Sequence, residues 1–274
     1  MSAPTIPIPT TGPSRARRTL ALAGAETRLF LRNRTAVVNS VVLPLLLVAA
    51  VPTLGIGSGA GDADDIGGRL VVTAVGVTLV YLTYYNLLTT FVARREELVL
   101  QRMRTGELTG PEVVLGTAAP TLLISVGQVA VVAVGMTVLG QAPSPVDAVL
   151  PLVALAGGAA LMLLLAAAST AFTRSAESAQ ITALPLLVAS SALSGLLFPL
   201  AVLPGPLATA ARLLPVSPVV ELARLGLLGR TWDGREVDLA GVWAAAPLPL
   251  ALLAGWLIVG GWAARRWFRW APRR

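Results

Sequence analysis

The stretch ARREELVLQRMRTGELTGPEVVLG, residues 93–116, gathers eight charged side chains in a chain otherwise dominated by leucine, valine, alanine and glycine. It lies between two long apolar runs, Leu70 to Ala93 and Val113 to Gly140, that carry no charge. A hydrocarbon layer about 30 Å thick asks for roughly 20 apolar residues per helix, so each run is long enough to cross it. The stretch therefore reads as a polar connection between two membrane spans.

The same rule applied to the whole chain gives six spans: Ala36 to Ile56, Leu70 to Ala93, Val113 to Gly140, Ala148 to Phe172, Gln180 to Leu203 and Gly241 to Ala264. The composition agrees, with 55% hydrophobic and 13% charged residues, about half the charge of a soluble domain. The expected fold is all-α and polytopic. The first span lacks a small-residue cleavage site and reads as retained.

Every basic residue is arginine, and their distribution orients the chain. With both termini cytoplasmic, 16 arginines fall inside, and five (Arg69, Arg212, Arg224, Arg230 and Arg235) fall outside, as the positive-inside rule requires. Asp62, Asp64 and Asp65 lean outward. The expected location is the cell membrane, with multiple passes. Arginines beside apolar spans, with no soluble domain to present them, argue against a nucleic-acid partner.

Several chemistries are excluded by residue type. Cysteine and histidine are absent, so there is no disulfide framework, no Ser-His or Cys-His pair, and no metal site is expected. Lysine is absent too, and a P-loop needs one to reach the nucleotide phosphates. The 14 acidic residues fall in loops, terminal segments or span boundaries, leaving no proton relay of the kind ion-coupled carriers use.

Three domains are expected: residues 1–34 as a cytoplasmic tail and interfacial helix, 35–264 as the transmembrane unit, and 265–274 as a basic cytoplasmic tail. The N-terminal helix, Arg15 to Arg34, has Leu22, Ala25 and Leu29 on one face and Leu20 and Leu31 opposite. It reads either as a helix on the lipid head groups or as a basic topogenic flank. Before the last span, Ser217 reads as an N-cap, Pro218 as the first helical residue and Gly229 as a stop. A second short helix is expected near Leu207 to Leu214, both on the extracellular side.

Within the opening stretch, a helix from Arg94 to Arg104 places Val99, Leu100 and Met103 on one side, Arg95 and Arg102 beside them, and Glu97, Gln101 and Arg104 opposite. Thr109 to Glu112 then forms a T-x-x-E capping box opening the third span. The helix reads either as a juxtamembrane element on anionic lipid or as a ridge that docks a cytoplasmic partner.

The order RREELVLQRMRTGELTGPEVVLG resembles the coupling loop of ABC-2 type transporter permeases. SGLLFPLAVLPGPLATAARLLPVSPV, residues 194–219, resembles the same family's signature around its fifth span, through Phe198, Pro199, Pro204 and Pro215. Leu98 and Val99 stand where many members have a Gly-Thr pair, and Gly106 and Glu107 where many have a Thr-Pro turn. The resemblance implies a dimer of permease subunits, here a homodimer, each coupled to a P-loop ATP-binding subunit on a separate chain. ATP and magnesium would then be bound by that partner, with no cofactor in this chain. It also implies that Arg95, Glu96, Glu97, Val99, Leu100, Arg102, Met103 and Arg104 couple to the ATPase.

A polar stripe of Thr78, Tyr81, Tyr85 and Thr89 runs down the second span, and Ser190, Ser191 and Ser194 give the fifth a small polar surface. Each set reads either as helix-packing glue or as a pathway lining for a lipophilic substrate. Ser191 and Gly195 have the spacing that lets helices approach closely at a subunit interface. Asn39 and Gln128 read as interhelical hydrogen-bonding residues. The expected function is a permease that exports a small lipophilic compound (a drug, antibiotic or lipid) and meets membrane lipid. The alternatives are an ATP-independent carrier and a non-transporting scaffold or immunity subunit.

Overall fold

The computed structural model describes residues 14–53, 65–104, 108–196 and 203–271. They are helical throughout, with α1 (Arg15–Arg32), α2 (Arg34–Thr53), α3 (Ile66–Val77), a π-helical stretch Thr78–Tyr84, α4 (Tyr85–Glu96), α5 (Val99–Arg104), α6 (Gly110–Val138), α7 (Val149–Ser169), α8 (Ala179–Leu193), α9 (Gly205–Arg212), α10 (Ser217–Leu228), α11 (Leu239–Ala245) and α12 (Pro247–Trp267). Among the described residues β pairing is confined to one isolated bridge between Arg230 and Glu236.

Among the described residues four helices are long and apolar enough to span a bilayer: the continuous rod Ile66–Glu96, Gly110–Val138, Val149–Ser169 and Pro247–Trp267. The expected first and fifth spans hold shorter apolar helices, Ser40–Ala50 and Ala179–Leu193. The fifth stops about ten residues earlier than its apolar run suggests. Gly195 takes a left-handed φ of 75°, and its carbonyl accepts from Arg224 Nη2 at 3.0 Å. A hydrogen bond to another helix thus replaces the next helical turn. The sixth run is split at Pro247 into α11 and α12, and α12 continues to Trp267, past the tail boundary expected at residue 265.

The rod Ile66–Glu96 is the centre of the bundle. Of its apolar window 78% is buried, against 28–39% for the other three spans, so the others face outward and this one does not. Hydrophobicity cannot drive helices together in lipid; close packing and interhelical hydrogen bonds must do it. The rod supplies both. In its π-helical stretch the Thr83 hydroxyl reaches back to the Thr78 carbonyl at 3.3 Å and pairs with Ser125 of α6 at 2.8 Å. On α6, Gln128 donates to the Val41 carbonyl of α2 at 3.3 Å, as expected of an interhelical residue; the Asn39 side chain lies outside the described residues.

The short helices before the last span are present, but α10 does not cap the surface. It is wedged between α7 and α3, with ten of its residues from Ser217 to Leu227 buried. Close approach is possible because position 226 is glycine: a Cβ there would sit 2.3 Å from Pro151 Cδ. Gly229 ends the helix at φ 59°. Ser217 is not its N-cap. The helix already begins at that residue, and the buried hydroxyl donates back to the Ala211 carbonyl at 2.5 Å, tying α10 to α9. Pro218 is therefore the second helical residue, one place later than expected but still in the first turn.

At 12 residues, about 18 Å long, α10 is too short to cross the hydrocarbon, yet it carries a buried carboxyl. Glu221 is 7% exposed. Burial pushes its pKa up to about 7, against the opposing pull of Arg224, the Trp232 backbone N–H and Arg212. An acid whose folded pKa is raised destabilises the fold as pH climbs through the window from about 4.5 to 7, and its neutral form is retained below it. Glu221→Gln should therefore raise the thermal midpoint in detergent at pH 8, by the equivalent of about 3 kcal/mol at most, and leave it unchanged at pH 4.5. A midpoint difference independent of pH would reject this origin.

Candidate functional site

The charged stretch lies at the end of the bundle where α1, the base of α4, the start of α6, the end of α7 and the C-terminal segment meet. The expected single helix from Arg94 to Arg104 is two helices. The rod stops at Glu96, Glu97 caps it, and Leu98 turns the chain at φ 60° before α5 begins. Leu98 is the one described non-glycine residue with a positive φ. Glycine adopts that conformation at no steric cost, whereas leucine does not.

This turn divides the eight expected coupling residues. Glu96, Glu97 and Arg102 are exposed, and Val99 and Met103 are half-buried. The side chain of Arg104 lies outside the described residues, as do Gly106, Glu107, Phe198 and Pro199. Arg95 and Leu100 are fully buried, and so cannot belong to an exposed contact surface.

Arg95 instead turns into the bundle. Its guanidinium donates to the carbonyls of Thr170 at 2.8 Å, Thr173 at 2.7 Å and Arg174 at 3.0 Å. These groups follow the last turn of α7, where backbone acceptors lack helical partners and the helix dipole favours a cation. Beside it, Glu96 accepts from the Ala176 N–H at 3.3 Å. The start of the coupling turn is thus fixed to the connection between α7 and α8. The sequence held a signal for this: Leu87, Phe91 and Arg95 follow one another at four-residue spacing, and the first two are core residues.

Further contacts brace the same end. Thr109 N–H donates to Glu112 Oε2 at 2.6 Å in the expected capping box. Helix α1 lies along α6, with Leu22 over Gly116, where a Cβ would come within 2.4 Å of Leu22 Cδ2. Ion pairs hold it, Arg94 to Glu26 at 2.5 Å and Arg18 to Glu112 at 3.5 Å. Its inward face is Leu22 and Glu26, whereas Ala25 and Leu29 are exposed, contrary to the expected apolar stripe. The carboxyl of Glu26, 5% exposed, fixes that face. Burial raises its pKa above the usual range, with Arg94 pulling the other way. After α12 the chain folds back, Phe268 edge-on to Phe91 at 5.7 Å and Trp270 against Phe268 at 4.7 Å.

The polar stripe of the rod does not face one space. Thr78 is fully buried, Tyr81 pairs with Ser191 of α8 at 2.9 Å, and Thr89 donates to the Tyr85 carbonyl at 3.0 Å. The π-helical stretch, with i→i+5 bonding, changes the phase that a regular helix would give these positions. Tyr84, outside the expected stripe, is buried and pairs with Ser169 of α7 at 3.0 Å. Ser190 and Ser194 are buried and bonded to each other through the Ser190 carbonyl. Ser191 and Gly195 spend their close approach inside the chain, on Tyr81 and Arg224.

Several apolar helices around a buried, hydrogen-bonded rod, with charged turns at one end, define a multi-pass membrane protein. Residues 17–228 match the ABC-2 type transporter family, and the chain belongs to it. It is accordingly a membrane component of an ABC transporter, a transport subunit of a class that associates with an ATP-binding subunit. Among curated proteins, none matches the chain.

Two outcomes follow from the turn. Leu98→Gly should match or exceed the wild-type thermal midpoint, because the left-handed penalty of about 1–2 kcal/mol is removed at the cost of about 0.5–1 kcal/mol of chain entropy; Leu98→Val should fall below it. Arg95→Met, which keeps the bulk but leaves three carbonyls without their donor, should lower stability by about 3 kcal/mol or more, and Arg95→Lys by less. Equal midpoints for wild type and Arg95→Met would show that the buried bonds contribute nothing.

Proposed function

We propose that the chain is the permease subunit of an ATP-driven exporter that moves a small lipophilic compound out of the cell. In this reading six helices cross the cell membrane, α2 and α8 completing the set, with both termini cytoplasmic. Two copies form a homodimer, and each copy takes its drive from a P-loop ATP-binding subunit on another chain that binds ATP and magnesium. Family membership supports the ATPase partnership in general terms. The arginine distribution supports the orientation.

The observation that carries the reading is the coupling turn itself. Its outer side, Glu96, Glu97 and Arg102, is exposed at the arginine-rich end, while its inner side, Arg95 and Leu100, is locked into the bundle. A push received on such a turn cannot be absorbed locally. It passes along the rod of the second span and, through Arg95 and Glu96, to the ends of α7 and α8. The second and fourth spans are therefore the pair expected to move together. Arg102 also donates to the Glu97 carbonyl at 2.8 Å, which stiffens the turn.

Co-expression with the P-loop ATPase that co-purifies with the chain provides the test. Arg102→Ala should leave the complex folded and hydrolysing ATP while export per ATP in proteoliposomes falls by about tenfold, and the charge reversal Arg102→Glu should weaken co-purification. Unchanged export by both variants would remove Arg102 from the docking surface.

A further inference from the structure

A cleft of about 470 Å³ opens at the arginine-rich end between α1, α2, the lower half of α4 and the first turns of α6. It shares Glu97 with the outer face of the turn and does not include the Tyr81 and Ser191 contact. Along the rod it runs from Arg94 up to Asn86, eight residues or about 12 Å, so it reaches about two helical turns into the bundle. Leu29 and Phe30 of α1 give it an apolar flank.

Its charged lining is one-sided. Two carboxylates, Glu26 and Glu97, line it against one guanidinium, Arg94. Arg94 is already engaged by Glu26 at 2.5 Å, and Glu97 stands exposed at the rim without an ion pair among the described residues. Deeper in, the Thr89 hydroxyl spends its proton on the Tyr85 carbonyl, while Ser40 accepts from Asn86 at 3.1 Å and keeps its own proton. A hydroxyl whose proton is spent offers only lone pairs, and a carboxylate is acceptor-only. The Thr117 hydroxyl, on a residue 3% exposed that lines the cleft, has no partner among the described residues. A buried polar group left unpaired is costly enough to ask for an occupant.

We propose that this cleft binds an amphiphile bearing a protonated amine, its N–H donors on Glu97 and the Thr89 oxygen, a neighbouring polar group on Thr117, and its apolar part along Leu29 and Phe30. This deepens the exporter reading and rests on it for direction only: it names the cargo as a cationic amphiphile gathered from the leaflet on the arginine-rich side. Anionic lipids, drawn to the arginines on the exposed face of α1, are steered away from the same space by the two carboxylates.

The test needs no ATPase. The full chain in zwitterionic nanodiscs is exposed to three photoreactive long-chain probes that differ only in head group, a primary amine, a carboxylate and an alcohol, and labelling is mapped by peptide mass spectrometry. The amine should label α1 and the lower half of α4 saturably, with at least fivefold preference over the other two. Glu97→Gln, on the exposed rim, and Thr117→Val, which keeps the side-chain shape, should each weaken it about fivefold. Equal labelling by the three head groups, preference for the carboxylate, or labelling unaffected by both substitutions would overturn the proposal. Saturable amine binding in a chain that then fails to export with its ATPase would instead count against the exporter reading and leave the site standing.

Discussion

The arginine-rich end of this protein is organised by one buried cation. The guanidinium of Arg95 leaves the last turn of the central rod and takes three carbonyls beyond the end of α7. Those carbonyls have no helical partners, and the guanidinium has left water, so each answers the other's cost. The result is a joint between the rod Ile66–Glu96 and the end of α7 at the point where the chain turns into α5. Leu98 can hold a left-handed conformation there because both sides of the turn are anchored, Arg95 and Leu100 being fully buried. Backbone strain of this kind persists only when its surroundings over-determine it.

The rest of the bundle follows from what lipid withholds. Apolar side chains gain little by leaving hydrocarbon for one another, so helices meet where glycine permits close approach or where hydroxyls pair. Leu22 settles over Gly116, α10 wedges against Pro151 through Gly226, and the rod exchanges hydroxyl bonds with α6, α7 and α8 through Thr83, Tyr84 and Tyr81. These contacts place a 12-residue helix, buried carboxyl included, among the spans rather than over them.

Function divides along the same lines. In the proposed reading, the outer side of the turn would offer charge to a partner, while the inner side would convey its displacement to the rod and α7. The cleft beside it keeps a different company of groups, with carboxylates outnumbering guanidinium and an apolar flank. Only Glu97 touches both, standing exposed at the turn and at the rim of the cleft. An ATPase and a cargo approaching the arginine-rich end would thus meet neighbouring but separable surfaces.

Composition and charge placement determined the class of this protein without any coordinates. Apolar runs of spanning length, arginines gathered beside some of them and a T-x-x-E box opening a helix are local facts, and hydrocarbon thickness and backbone capping act locally too. Helix ends and partner choices were decided elsewhere. The apolar run of the fifth span does not show that Arg224, 29 residues on, takes the Gly195 carbonyl and ends the helix. The sequence marked Arg95 as one more arginine at a membrane boundary; only the arrival of α7's open carbonyls made it a buried joint. The phase of the tyrosine stripe was out of reach for a related reason, since a stretch of π-helix changes the phase on which any stripe is counted. Periodicity is a property of one helix, whereas burial and hydrogen-bond satisfaction belong to pairs of helices, and pairs exist only in the folded bundle.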